Sequence, residues 1–155
     1  GDVYKRQRLM WMDVPYEPGE VKVVAYDASG KPAEEKVIRT AGKPHHLELV
    51  ADRTRLSADG KDLAYITVRV VDKDGNLCPA DSRMVNFSVK GAGKYRAAAN
   101  GDATSLDLFH LPKMPAFSGQ LTAIVQSGEQ AGEIVFEARA KGLKSGKLVL
   151  YTSEK

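Results

Sequence analysis

LAYITVRVVDKDGN, residues 63–76, alternates apolar and polar side chains and then breaks into a turn. Ala64, Ile66, Val68 and Val70 share one parity, and Tyr65, Thr67, Arg69 and Val71 share the other. Successive Cβ atoms of a strand point to opposite faces, so this pattern sets an apolar row against a core. The Asp74-Gly75 pair that follows suits the positive φ of a tight hairpin turn. A strand running into a hairpin is the unit from which the fold is read.

The same parity recurs outward in both directions. Val85, Phe87 and Val89 show it, as do Leu121, Ala123 and Val125; Ile134, Phe136, Ala138 and Ala140; and Leu148 and Leu150. Turn chemistry separates the runs: SADGK (57–61), KGAGK (90–94) and NGD (100–102). No stretch sustains apolar residues at helical spacing over three turns. The expectation is an all-β chain whose residues 43–155 form an immunoglobulin-like antiparallel β-sandwich. Its strands are expected near 46–51, 63–72, 84–90, 94–99, 119–126, 131–140 and 146–152.

Residues 8–42 read differently. A strand near 9–12 is followed by a hairpin pairing about 20–26 with 34–40 across DASGKPA, with Val21, Val23 and Ala25 on one face. Two or three strands cannot close a sandwich core, so this segment is expected to be the C-terminal end of a truncated β-sandwich. The heptapeptide GDVYKRQ (1–7) has no initiator Met and no signal-peptide pattern. It back-translates to bases like the transposase mosaic end used in sequencing-library preparation, and is expected to be an adapter-derived artefact.

Composition excludes several function classes. The chain is 43% hydrophobic and 28% charged, with a net charge of +3, which suits a globular protein. Basic residues are scattered among acidic ones, against a nucleic-acid partner. No apolar run is long enough to form a membrane-spanning helix. Cys78 is the sole cysteine and reads as a small core residue. His45 and His46 are adjacent, so in a strand they would point to opposite faces and hold no metal together. DKDGNLCPADSR (72–83) fails the EF-hand spacing, because Gly falls fourth and Arg83 twelfth. Asn86-Phe87-Ser88 fits the glycosylation pattern but lies within a strand. Trp11 and Tyr16 read as core aromatics rather than a sugar-stacking face. The carboxylates, among them Asp27, Asp59, Asp72, Asp74, Glu20, Glu133 and Glu137, read as solvated turn and outer-face groups. No catalytic residue, cofactor or metal is expected.

One connection stands out. DATSLDLFHLPKMPAFS (102–118) has no clear period and carries Leu108, Phe109, Leu111 and Phe117 as candidate apolar anchors. Long connections inside a compact domain are usually functional or held by their own side chains.

WMDVPYEPGEVKVVAYDASGK (11–31) and RTAGKPHHLELVADRTRLSADGKDLAYITVRVVDKDGN (39–76) resemble the C-terminal part of bacterial glycoside hydrolase family 2 enzymes, β-galactosidases of the Bacteroides type. NGDATSLDLFHLPKMPAFSGQLTAIVQSGEQAGEIVFEARAKGL (100–143) resembles their final immunoglobulin-like domain. The family pattern there is NGDPTS followed by Lys-x-x-AF-x-G: Ala103 replaces the Pro, while Lys113, Ala116, Phe117 and Gly119 fit. The resemblance implies a non-catalytic accessory region whose parent hydrolyses β-galactosides by a retaining two-carboxylate mechanism. The implied partners are an upstream catalytic barrel and accessory domains of the same parent chain, and that parent's carbohydrate substrate. The implied location of the parent is the periplasm, the cell surface or the secreted fraction. Phe109, His110, Lys113 and Phe117 are the residues expected at a substrate entrance or interdomain loop. The rival reading is a tandem immunoglobulin-like repeat of a bacterial surface adhesin.

The heptapeptide carries only Val3 and Tyr4 as apolar groups, too little to offset an ordering cost of about 1–2 kcal/mol per residue. Deleting residues 1–7 is expected to leave the thermal midpoint unchanged in calorimetry, and a fall of several degrees refutes the adapter reading.

Overall fold

The structure, a computed structural model, describes residues 12–154. The chain divides into two compact units, Gly1–Thr40 and Ala41–Lys155. The heptapeptide, Trp11 and most of the strand expected near 9–12 lie outside the described residues.

In the first unit β1 (Glu20–Tyr26) and β2 (Pro32–Arg39) form a two-stranded antiparallel hairpin. DASGK makes its turn: Asp27 N–H donates to Lys31 O, Gly30 N–H donates to Asp27 O, and Gly30 sits at φ 78°. The Asp27 carboxylate accepts from Ser29 N, Ser29 Oγ and Lys31 N, closing the turn locally. Lys22 pairs with Glu35 and Arg39 with Glu20 across the strands on one face. Val21 and Val23 on the other face are exposed, since two strands cannot bury a face by themselves. Tyr16, read from the sequence as a core aromatic, is 77% exposed instead. It precedes β1 and its hydroxyl lies 3.5 Å from that of Thr40.

The second unit is a two-layer sandwich. It contains β3 (His46–Ala51), β4 (Arg55–Ser57), β5 (Leu63–Val71), β6 (Met84–Gly91), β7 (Gly93–Ala99), β8 (Lys113–Pro115), β9 (Gln120–Ser127), β10 (Gly132–Ala140) and β11 (Gly146–Ser153). One sheet runs β4-β11-β10-β6-β8 and the other β3-β5-β9-β7. The pairings are antiparallel except β4 with β11. The seven strands expected of this region are present to within one residue at each end. β4 and β8, three residues each, are additional. Strands that short show no alternation for a pattern to catch.

The parity rows meet in the core. Ala64, Ile66, Val68 and Val70 of β5, with Leu121, Ala123 and Val125 of β9, face Val85, Phe87, Ile134, Phe136, Ala138 and Leu150 of the other sheet. Phe136 stacks on Phe87 with centroids 5.8 Å apart. Burying a side chain of this size contributes about 1.5–3 kcal/mol. Val71 breaks the parity: it falls on the outward set yet is fully buried, because it bridges to Leu77 and pairs with His46 where the chain folds over.

That fold-over is organised by Asp72. DKDGN repeats the DASGK turn, with Asp72 N–H donating to Asn76 O and Gly75 N–H to Asp72 O, and Gly75 at φ 85°. Asp72 departs from the sequence expectation of a solvated turn carboxylate, being only 2% exposed. Its Oδ1 accepts from Asp74 N and Asn76 N, and its Oδ2 from Gly42 N at 2.7 Å and Asn76 Nδ2 at 3.0 Å. The Gly42 amide, the Asn76 side chain and the turn amides hold this carboxyl far below the ordinary carboxylate range. Cys78 lies beside it, buried, its thiol pushed up by burial and by the Asp72 and Asp81 charges.

The Asp72 carboxyl is depressed in the folded state, so its contribution is complete above the unfolded value near 4 and is lost as pH falls below it. Asp72→Asn keeps the shape but turns an NH2 toward bonded N–H groups. The expected outcome is a midpoint several degrees lower at pH 7, with the gap to the parent sequence narrowing from pH 5 to pH 2 in thermal melts. A gap that is constant with pH shows that the charge is not what the turn uses.

Candidate functional site

The 100–119 connection carries the residues singled out from the sequence, and its path follows from the edges of the two sheets. β7 ends one sheet and β8 ends the other, so the connection between them crosses an open side of the sandwich. Edge strands present unpaired backbone groups, and here the connection satisfies one amide of the edge strand β7 and one of β6 beyond the reach of β8. Ala98 N–H of β7 donates to Phe109 O at 2.8 Å, and Phe87 N–H of β6 donates to Pro112 O at 2.9 Å. The segment is a strap over the sandwich edge.

Tyr95 pins the strap. Its hydroxyl lies 2.6 Å from Leu111 O and 3.0 Å from Phe109 O, and its ring stacks on Phe87 with centroids 5.8 Å apart. The placement depends on a bulge. In the β7–β9 register Tyr95 pairs with Val125 and Ala97 with Ile124, leaving Arg96 as the extra residue. The bulge puts Tyr95 on the same side of the sheet as Ala98, which unbroken alternation forbids. Burial raises the Tyr95 phenol to about 12.

The near end of the strap is built by short polar side chains and the far end by a backbone turn. Asn100 Oδ1 accepts from Asp102 N and its Nδ2 donates to Pro115 O at 3.1 Å. Asp102 Oδ1 accepts from Thr104 N and Thr104 Oγ1, which lowers its carboxyl. At the far end Phe117-Ser118-Gly119-Gln120 closes with hydrogen bonds in both directions, and Ser118 (φ 51°) and Gly119 (φ 75°) are both left-handed. That is the geometry of a type I′ turn. A Cβ on Gly119 would stand 2.3 Å from Cys78 O, so the close backbone approach admits only glycine. Ala116 is buried beside it. The Ala-Phe-x-Gly spacing thus has a tertiary cause, the approach of Gly119 to Cys78 and the burial of Ala116 in the core.

Phe109 and His110 occupy the tip of a turn closed by Leu111 N–H donating to Leu108 O. Lys113 opens β8 opposite Asn86, and Phe117 starts the I′ turn. These four side chains are exposed. The strap is not held by the apolar anchors expected. Leu108, Phe109 and Phe117 are 57%, 56% and 46% exposed, and Leu111 is half-buried. Met114 and Ala116 go into the core instead, because alternation along β8 turns Lys113, Pro115 and Phe117 outward.

The neighbouring polar groups are engaged structurally. Arg83 forks onto Asp81, with Nε 2.8 Å from Oδ1 and Nη2 2.6 Å from Oδ2, and its Nη1 donates to Lys141 O. Burial alone pushes the Asp81 carboxyl up, but the Arg83 bonds outweigh it and the net shift is down. The shifts resolved at Asp27, Asp52, Asp72, Asp81, Asp102 and Glu137 are all downward. A glycosidic general acid needs the opposite. His45 and His46 do not point apart as expected: their Nδ1 atoms are 3.0 Å apart, because His45 precedes β3 and escapes its alternation. Among the described residues no group of three or more His, Cys, Asp or Glu is placed to hold a metal ion.

Residues 47–149 match the glycoside hydrolase family 2 C-terminal domain 5. The chain belongs to that family. Residues 2–34 match a domain of unknown function (DUF4982). A β-galactosidase, BoGH2A of Bacteroides ovatus, is 42% identical over 141 residues, covering 91% of this chain and 16% of that protein. A β-glucuronidase of Formosa agariphila is 29% identical over 97% of this chain and 15% of its own length. Among solved structures, a glycosyl hydrolase family 2 member from Bacteroides cellulosilyticus superposes with a TM-score of 0.84 at 30% identity, covering 91% of this chain and 18% of that one. This chain spans less than a fifth of the length of each of these three relatives.

Tyr95→Phe keeps the ring stack and removes the pin. It is expected to cost about 1 kcal/mol in chemical denaturation at pH 7. Because the folded phenol titrates near 12 and an unfolded one near 10, that difference is expected to shrink as pH rises from 10 to 12. A variant as stable as the parent sequence shows that the strap does not need the hydroxyl.

Proposed function

We infer that this chain is the C-terminal accessory region of a β-galactosidase-like glycoside hydrolase, and that it catalyses nothing by itself. The 42% identity to the Bacteroides ovatus β-galactosidase over 91% of the chain carries this reading. The downward carboxyl shifts agree with it, since retaining hydrolysis needs an acid with a raised pKa and a nucleophile about 5–5.5 Å away. In this reading the parent chain holds the two catalytic carboxylates in an upstream barrel, acts on terminal β-galactosides in carbohydrate metabolism, and works in the periplasm or at the cell surface. The strap residues Phe109, His110, Lys113 and Phe117 then face the rest of the parent, at an interdomain surface or the substrate entrance. The similarity to a β-glucuronidase makes a β-glucuronide the second substrate to test.

The experiment compares the parent enzyme, a version ending near residue 42, and this chain alone, on nitrophenyl β-galactoside, nitrophenyl β-glucuronide and a longer galactoside. The expected result is galactoside hydrolysis by the parent and none by this chain. Hydrolysis by this chain overturns the accessory reading, and a parent active only on glucuronide overturns the galactosidase assignment. Unchanged kinetics on the longer substrate after truncation removes the strap from the entrance.

A further inference from the structure

The sequence holds three asparagines, Asn76, Asn86 and Asn100, and of these Asn100 is followed by glycine. An asparagine amide is a latent electrophile toward the backbone nitrogen of the next residue. A glycine there leaves that nitrogen unshielded, because it has no Cβ. Gly101 is open in this sense: it sits at φ 81°, and a Cβ placed on it would meet nothing within 4 Å. Among the described residues its N–H donates no hydrogen bond. Asn86 is placed differently. It lies within β6, and the next amide, Phe87 N–H, is already bonded to Pro112 O. Asn76 is followed by Leu77, and its Nδ2 donates to the Asp72 carboxylate.

The Asn100 amide is both primed and clasped. Asp102 N–H donates to Oδ1 at 3.0 Å, on the oxygen that gains negative charge when the amide carbon is attacked. Nδ2 donates to Pro115 O at 3.1 Å and so ties the start of the strap to β8. That bond must open before the side chain can turn onto Gly101 N, so the native chain reacts only from its opened fraction.

We propose that Asn100-Gly101 is a spontaneous modification site, at which the chain deamidates itself and thereby undoes the clasp on the strap. Base removes the Gly101 amide proton, and the nitrogen bonds to Asn100 Cγ. The Cγ–Nδ2 bond breaks and Nδ2 leaves as ammonia, giving a cyclic succinimide. Water then adds to either ring carbonyl and opens the ring, to aspartate or to isoaspartate. Either product lacks the Nδ2 donor, so the bond to Pro115 O is lost. In the aspartate product two acceptors face each other there, and in the isoaspartate product the main chain gains a methylene. The site is a property of this chain and does not depend on the accessory reading above.

Ageing the chain tests the site. It is incubated at mildly alkaline pH, folded and in urea, and the exchange of amide for acid is mapped by peptide mass spectrometry. The expected result is modification at Asn100 ahead of Asn76 and Asn86 in the folded chain, at a rate at least about tenfold below that in urea. A folded chain that gains no acid at Asn100 while the urea sample converts overturns the proposal. Equal rates in the two states overturn the clasp as the controlling step. Asn100→Asp supplies one product directly. Its thermal midpoint is expected to lie about 2–4 °C below that of the parent sequence, with protease cuts within 102–112 appearing earlier. A variant with the midpoint and cleavage pattern of the parent sequence overturns the release of the strap.

Discussion

Four hydrogen bonds converge on the Asp72 carboxylate, at the end of the sandwich where β5 leaves the core and the chain folds back. Polar backbone groups at such an end cannot be left dry without a cost comparable to a lost hydrogen bond. Asp72 satisfies the turn amides and also reaches Gly42, so the entry to the domain is tied to its first hairpin. Asp81 and Arg83 continue the arrangement, linking the 78–83 segment to Lys141 and to the Gly119 turn. Among the described residues no buried side-chain polar atom lacks a partner. The end is closed by hydrogen bonds, and the middle by the packing of Phe136, Ile66, Ile134 and Leu150.

The side of the sandwich poses the same problem along a strand edge. The strap solves it by lending its carbonyls to Ala98 and Phe87 and by accepting the Tyr95 hydroxyl. This arrangement separates two tasks. The backbone of residues 109–112 serves the fold, while the side chains of Leu106, Leu108 and Phe109 are exposed. A strap fixed by its main chain is free to present its side chains to something else.

Residues 47–149 belong to the glycoside hydrolase family 2 C-terminal domain 5, and the resolved carboxyl shifts in the chain are all downward. Other charged groups serve turns and strand pairs: Asp27 and Asp102 fold their own turns, Glu48 pairs with Arg69 across β3 and β5, and Glu137 with Arg139. Such pairs at the surface are worth little individually. Their use is to keep turns and strand faces soluble while the two inner rows pack.

The two layers are written locally in the chain. Period-2 parity and Asp-Gly turns each occupy a few consecutive residues, so the strands and inward rows of the sandwich are legible from the residues alone. The Lys113, Ala116, Phe117 and Gly119 pattern is legible as well, though not its cause. Whatever depends on distant partners is settled only when the chain has folded. Asp72 and Asp27 sit in turns of nearly the same sequence, yet one is buried because Gly42 lies above it and the other is not. Tyr95 has an outward parity in sequence, and a bulge at Arg96 turns it inward to pin residues 109–111. His45 and His46 meet because one lies outside the strand. The apolar residues of the strap looked like anchors, but the core was already filled by Met114 and Ala116. Hydrophobicity can be read from a residue alone, whereas burial depends on what the rest of the chain has left vacant.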